Sequence, residues 1–313
     1  MKELLRTTDP VRISWLTALL ADQEIEAIIL DSHTSVLEGS ASAIPRRLLV
    51  ADQDFDTASR LLAEFGEIEK REPSPDSLLG GRVEIRQPDE GYRTAIDPVL
   101  LAAATPAIAG TVLDVGTGVG AAALCYAVRV PGAQVLGLEL QPPLAMLARE
   151  NVERNDLADR VEMLEGDLLR PPASIGPAMF DHVMANPPYM PPDRGGPPPE
   201  ASKAIAMVEG EADLAAWIDF CLLMVKPKGS VTMVHRADRL DELLALFRQN
   251  AGGIVVVPLW PGRGRPAKRV IVRARRELRT PLRLSSGLTL HSDDGAYTEE
   301  AMAVLVDGEA LAV

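Results

Sequence analysis

The chain has 313 residues, 47% hydrophobic and 25% charged, enough to bury a large core and to form two domains. A net charge of −13 argues against indiscriminate binding to nucleic acid, whose phosphates reward Lys and Arg. Glu3, Arg6, Asp9 and Pro10 interrupt any signal-peptide pattern and no apolar run reaches about 18 residues, so a cytoplasmic protein without a membrane segment is expected.

In chain order, Leu4-Leu5-Arg6 reads as a strand, and Asp9 caps a helix with Pro10 at its first position. Ala27–Leu30 and Arg47–Val50 read as strands, and Ala58, Leu61, Leu62 and Phe65 recur at helical spacing up to a stop at Gly66. The order β-α-β-β-α over residues 1–66 predicts a small ferredoxin-like α+β domain, regulatory or partner-binding in role. It resembles a short bacterial family of signal-transducing-like domains in length, element order and the Asp52-to-Leu62 segment. Residues 67–77, with Lys70-Arg71-Glu72-Pro73-Ser74-Pro75, read as a linker to a second domain over 78–313.

Thr111–Val115 reads as a buried strand that runs into Gly116-Thr117-Gly118-Val119-Gly120 and then an apolar helix from about Ala121 to Val128. Glycines there let the backbone approach a ligand closely. The next strand, from Val135, ends in Glu139, nineteen residues after Gly120 and placed to accept hydrogen bonds from ribose hydroxyls. A third strand, Val161–Glu165, leads to Gly166-Asp167, whose carboxylate suits an adenine amino group. The spacing is G-x-G-x-G with Asp114 two residues ahead, not G-x-G-x-x-G, which favours S-adenosyl-L-methionine over a nicotinamide cofactor. A tight connection without a ligand is the alternative for the glycine turn taken alone. The candidate cofactor residues are Asp114, Gly116, Thr117, Gly118, Gly120, Glu139, Asp167 and Asn186.

Cys125 and Cys221 each sit in an apolar helical stretch and read as reduced core thiols. His33, His182, His235 and His291 show no ligand spacing, so no metal site is expected.

The apolar strand Phe180–Ala185 ends in Asn186-Pro187-Pro188-Tyr189. A conjugated amine is a poor nucleophile until its hydrogens are held and its lone pair is turned toward an electrophile. The Asn186 side-chain oxygen and the Pro187 carbonyl can accept those hydrogens. Pro187 and Pro188 fix φ, and Tyr189 offers a face on which a planar group can stack. These four are the candidate catalytic residues; a bland strand-to-loop turn is the alternative. The stretch from Pro187 to Pro199 holds seven prolines and two glycines and reads as a stiff, polar loop over the active-site mouth, with a mobile loop of no function as the alternative.

Charge is unevenly spread. Between Pro261 and Arg283 nine basic residues face only Glu277, a local charge of +8, in a segment that alternates like a strand near Arg269 to Arg275. Arg93, Arg263, Arg265, Lys268 and Arg269 are candidate substrate-binding residues, with a charged strand edge as the alternative.

From about Leu78 to Val313 the chain resembles the bacterial tRNA adenine-N6 methyltransferase family that acts beside the anticodon of a valine tRNA. Besides the strand-end motifs, the likeness rests on Gly80-Gly81-Arg82, Gln87-Pro88, Gly91-Tyr92-Arg93, Asp97–Leu101, Leu222–Gly229, Pro266–Arg269 and Gly295-Ala296-Tyr297-Thr298. The resemblance implies that Gly116, Gly118 and Gly120 line the methionine and ribose of the cofactor. It further implies that Glu139 holds the ribose, Asp167 the adenine, and Asn186–Tyr189 the target amine. Lys203–Glu209 is less basic than a surface gripping an RNA stem-loop, and the N-terminal domain has no counterpart in the simplest members.

The fold expected is therefore α/β: a Rossmann-like S-adenosylmethionine-dependent methyltransferase core, mostly parallel with a final antiparallel hairpin, preceded by the small α+β domain. The expected reaction is methylation of an exocyclic adenine N6 of a structured RNA, a tRNA, extruded into the pocket. Holding nitrogen and methyl carbon about 3–3.5 Å apart in line supplies most of the catalysis, and no strong base is needed. Glutamine-N5 methylation of a translation factor and guanine-N2 methylation of RNA use the same planar clamp and stand as alternatives. The non-enzymatic alternative is a cofactor-sensing adaptor.

Overall fold

The computed structural model describes residues 2–7, 10–21, 23, 25–30, 46–51, 54–64, 76–88, 94–189, 212–311 and 313. Asp9, Phe65, Gly66, Gly91–Arg93, the proline stretch beyond Tyr189 and Lys203–Glu209 lie outside them. Contacts divide the chain into two compact units, Met1–Ser74 and Pro75–Val313.

In the first unit, β1 (Lys2–Thr7), β2 (Ala27–Leu30) and β3 (Arg46–Val50) form an antiparallel sheet in the order β1-β3-β2. The helices α1 (Pro10–Ala21) and α2 (Phe55–Glu64) bury Leu16, Leu20, Ala58 and Leu62 with Leu48 and Val50, which alternate onto one side of β3. This is the sandwich expected from the spacing of apolar residues.

The second unit opens with a hairpin, β4 (Asp76–Leu78) and β5 (Val83–Ile85). Asp76 and Ser77, at the end of the expected linker, pair there with Ile85 and Glu84. The main strands follow: β6 (Thr111–Val115), β7 (Gln134–Glu139), β8 (Val161–Glu165), β9 (Phe180–Ala185), β10 (Val225–Arg236), β11 (Ala251–Gly262), β12 (Arg269–Arg276), β13 (Arg283–Leu284) and β14 (Leu288–His291). Their order is β13-β11-β12-β10-β9-β6-β7-β8, with β14 also on β11. Strands β6 to β10 are mutually parallel, and β12 runs antiparallel between β10 and β11. The mostly parallel α/β sheet with its antiparallel hairpin is as expected.

Helices cover both sides. On one side α3 (Asp97–Ala104), α4 (Ala121–Arg129) and α5 (Pro142–Arg154) bury Leu100, Leu101, Leu124 and Val152 with Val112 and Met184 of the sheet. On the other, α6 (Leu214–Met224) and α7 (Leu240–Asn250) bury Ile218, Cys221 and Phe247 with Leu113, Val115 and Val183. Strands buried on both faces explain why β6 and β9 read as continuous apolar runs. No helix among the described residues is long and apolar enough to cross a membrane. Helix α8 (Glu299–Leu305) is capped by Thr298, whose Oγ1 accepts from the Ala301 N–H at 3.1 Å.

The chain runs from β6 outward to β7 and β8, then returns to place β9 on the other side of β6. Connections leaving adjacent strands in opposite directions open a crevice at their carboxyl ends. The glycine turn follows β6 there, and Asn186 follows β9.

Candidate active site

Gly116, Gly118 and Gly120 have φ of +68°, +58° and +86°, left-handed conformations that disfavour any residue with a Cβ. The Gly116 and Thr117 N–H groups donate to the Leu138 carbonyl at 2.8 and 3.1 Å, pinning the turn to β7. A Cβ on Gly116 would stand 2.5 Å from Trp217 Cη2, whereas one on Gly118 would meet no atom within 4 Å. Gly118 therefore borders open space. Gly120 does not: a Cβ there would meet Met163 Cε at 3.0 Å and Ala148 Cβ at 3.5 Å. It starts α4 and packs against the interior, so only the first two glycines face the cavity.

Two buried carboxyl groups flank this turn. Asp114 is 2% exposed and accepts a hydrogen bond from Thr117 Oγ1 at 2.6 Å. Burial pushes its pKa up to about 7, against the Thr117 hydrogen bond and the Ala123 backbone, while Glu139 adds a smaller upward push. Glu139 Oε2 accepts from the Gly118 N–H at 2.8 Å and Oε1 from the Gln141 N–H at 2.9 Å. Burial raises its pKa too, and these backbone donors restrain the rise. Asp167 is more open: Oδ1 accepts from the Leu169 N–H at 2.9 Å and Oδ2 from Arg170 Nε at 3.2 Å. A carboxylate offers about four lone pairs, so Glu139 and Asp167 can each still accept from a ligand hydroxyl or amine.

Asn186 and Tyr189 touch, and the Tyr189 hydroxyl also lies 2.9 Å from Asp97 Oδ2 at the start of α3. Tyr189 as a whole is 8% exposed. The Arg269 guanidinium carbon stands 4.4 Å from its centroid, and His235 meets it edge-on at 5.5 Å. One face expected to stack on a substrate thus carries Arg269 in this structure, because β12 brings that arginine beside the end of β9.

A cavity of about 410 Å³ joins these parts. Asp114, Gly116, Thr117, Gly118, Glu139, Asp167 and Asn186–Tyr189 line it, with Leu140, Leu144 and Leu168 as an apolar wall.

The basic segment is split by the sheet. Arg269 pairs with Arg236 of β10 and Leu259 of β11, at the end of the sheet where β9 leads to Asn186. The connection carrying Arg263, Arg265 and Lys268 therefore leaves on the cavity side, with all three exposed. Arg273, Arg275 and Arg276 lie further along β12 and donate to carbonyls of Val313, of Lys228, and of Leu223 and Val225. Those three close backbone ends instead of forming one free arginine face.

Residues 94–194, which hold the glycine turn, Glu139, Asp167 and Asn186–Tyr189, match the family model described as "Methyltransferase small domain". That match lies wholly within the larger unit. A crystal structure of a predicted O-methyltransferase from Agrobacterium tumefaciens matches 69% of this chain and 99% of its own, with a TM-score of 0.57 and 25% identity. The chain is also similar to the tRNA1(Val) (adenine(37)-N6)-methyltransferase of Porphyromonas gingivalis, at 32% identity over 169 residues. That match spans 52% of this chain and 66% of the relative, just under two thirds of its length. Over 83 residues the chain is 42% identical to the release factor glutamine methyltransferase of Geobacter sulfurreducens, covering 26% of this chain and 28% of that one. Residues 1–66 match the family described as "Putative prokaryotic signal transducing protein".

Three residues of the larger unit had no role in the sequence reading. Asp97 joins Tyr189 to Arg269, whose Nε lies 3.3 Å from its Oδ2. Asn151 is fully buried; its Nδ2 donates to the Val119 carbonyl at 2.9 Å and its Oδ1 accepts from the Arg86 N–H at 2.7 Å. That ties the glycine turn to the strand hairpin before it. His235 is fully buried, with the backbone of Pro188 and Arg236 beside its ring; burial, with Arg239 adding to it, pulls its pKa down to about 4 against those backbone contacts. Only the position of Asp97 before Pro98, at a helix start, marked any of them locally.

Proposed function

We propose that this protein is an S-adenosylmethionine-dependent N-methyltransferase whose acceptor is adenine N6 in a tRNA. The observation that carries this is a single cavity, at the point where the strand order reverses, lined by both the glycine turn and Asn186–Tyr189. The residues present fit the cofactor. Gly118 leaves open the space a Cβ would fill, and Glu139 offers a buried carboxylate fixed by two backbone N–H groups. Asp167 and the leucine wall suit a purine edge and face. When bound, the sulfonium cofactor supplies an electrophilic methyl group.

The chain's own part is placement. Asn186 Oδ1 and the Pro187 carbonyl accept the two hydrogens of the target amine, turning its lone pair toward the donor. Buried walls at Trp217 and Tyr189 keep water from the nitrogen. Asp114 and Glu139 sit on the cofactor side. Transfer to nitrogen leaves a proton that can depart afterwards.

An RNA acceptor is favoured over a glutamine side chain by Arg263, Arg265 and Lys268, exposed at the cavity end of the sheet. They supply a local positive field in a chain of net charge −13. The name of the Porphyromonas gingivalis relative points to the same acceptor. The test is to incubate the protein with labelled S-adenosylmethionine and either small RNA or protein extract, then identify the labelled residue by mass spectrometry. Labelled N6-methyladenine supports the proposal, methylglutamine replaces it with the protein substrate, and no transfer to either overturns it.

A further inference from the structure

The Tyr189 hydroxyl carries one proton and stands between two acceptors, Asp97 Oδ2 and Asn186 Oδ1. It cannot serve both. An ionised carboxylate only accepts, a hydroxyl donates once, and a carboxamide has an accepting oxygen and a donating nitrogen. Bonds to an ionised acceptor are about twice as strong as neutral ones, so the proton belongs to Asp97. The Tyr189 oxygen then offers Asn186 only lone pairs. A half-turn of the carboxamide satisfies the pair, placing Nδ2 against Tyr189 and Oδ1 toward the cavity.

The ring cannot turn away from this choice. Arg269 covers it at 4.4 Å and donates to the same Asp97 oxygen at 3.3 Å, while His235 packs against its edge at an interplanar angle of 86°. Only the orientation with Oδ1 outward can accept an N–H from a target amine; the reverse sets donor against donor. We propose that Asp97 is a positioning residue that, through the Tyr189 hydroxyl, turns the Asn186 carboxamide oxygen toward the acceptor nitrogen. The inference rests on the N-methyltransferase reading and adds what sets the polarity of its acceptor clamp.

Asp97→Leu is close in size and removes the acceptor. The Tyr189 hydroxyl then donates to Asn186 Oδ1, and the clamp is held the wrong way round. Tyr189→Phe cuts the relay and keeps the ring.

Neutron diffraction from deuterated crystals reads the carboxamide directly. The expected result is Nδ2 toward Tyr189 in the wild type and Oδ1 toward it in Asp97→Leu. In kinetics, Asp97→Leu should lower kcat about tenfold or more, with the melting shift given by S-adenosylhomocysteine unchanged. Added to Tyr189→Phe, it should cost less than about a further twofold, because both break one chain of bonds. A wild type with Oδ1 toward Tyr189, or losses that multiply independently, overturns the proposal. If Asp97→Leu does not fold, Tyr189→Phe alone decides: both carboxamide orientations are expected, and a single unchanged one overturns it. A wild type that methylates nothing sinks the functional reading, while the neutron result still judges the relay.

Discussion

The amide of Gly118 donates to the carboxylate of Glu139 across 2.8 Å, joining the turn after β6 to the end of β7. The two residues lie 21 positions apart and shape one wall of the cavity. A methyl group on Gly118 would enter open space at φ +58°, at a conformational cost of about 1–2 kcal/mol. Gly118→Ala should therefore weaken S-adenosylhomocysteine binding about tenfold or more, by calorimetry, with a modest fall in Tm. Gly116→Ala, whose Cβ would stand 2.5 Å from Trp217 Cη2, should lower Tm much further. Unaltered binding by Gly118→Ala would rule out a cofactor wall at this turn.

Asn186→Ala removes a hydrogen-bond acceptor that matters only when the target amine is in place. A loss of about 100- to 1000-fold in kcat is expected, with the S-adenosylhomocysteine melting shift nearly unchanged. Equal loss of turnover and cofactor binding would show that the two halves of the cavity are not divided as proposed.

Arg263→Glu, Arg265→Glu and Lys268→Glu should raise the KM for RNA, and each lost phosphate contact should reduce the salt slope by about 1. Arg276→Gln is the contrasting variant. It frees the Leu223 and Val225 carbonyls from their donor, so Tm should fall while KM stays near wild type.

Stability should respond to pH through two opposed groups. Asp114 has a folded pKa of about 7 against an ordinary 3.8, so its contribution is complete below about pH 4 and lost as pH rises to 7. His235 is the reverse: lowered to about 4 from 6.5, it contributes fully above about pH 6.5 and progressively less as pH falls to 4. Asp114→Asn should raise Tm relative to wild type at pH 8 more than at pH 4. His235→Asn should flatten the acid limb of the Tm curve. Parallel curves for wild type and both variants would contradict these assignments.

Much of the fold was legible because its signals are local. Continuous apolar runs such as Thr111–Val115 and Phe180–Ala185 mark strands covered on both faces, and the left-handed turn at Gly116 and Gly118 requires the residue type seen there. Asn186-Pro187-Pro188-Tyr189 is likewise a chemical unit within four residues. The partners of that unit are not local. Asp97 is 92 positions from Tyr189 and Arg269 is 172 from Asp97, so their meeting depends on strand order.

The sequence by itself determined which groups are chemically able to serve the proposed reaction, since glycine conformation, proline rigidity and amide chemistry belong to residues wherever they sit. Tertiary structure alone decided which of them share a cavity. By inserting β12 antiparallel beside β10, it sent Arg269 to the mouth and Arg275 to the far end, although both lie on the same strand. Gly120 shows the same division: its conformation is a local demand, but that it packs on Met163 instead of facing the cavity follows from where α5 and β8 come to rest.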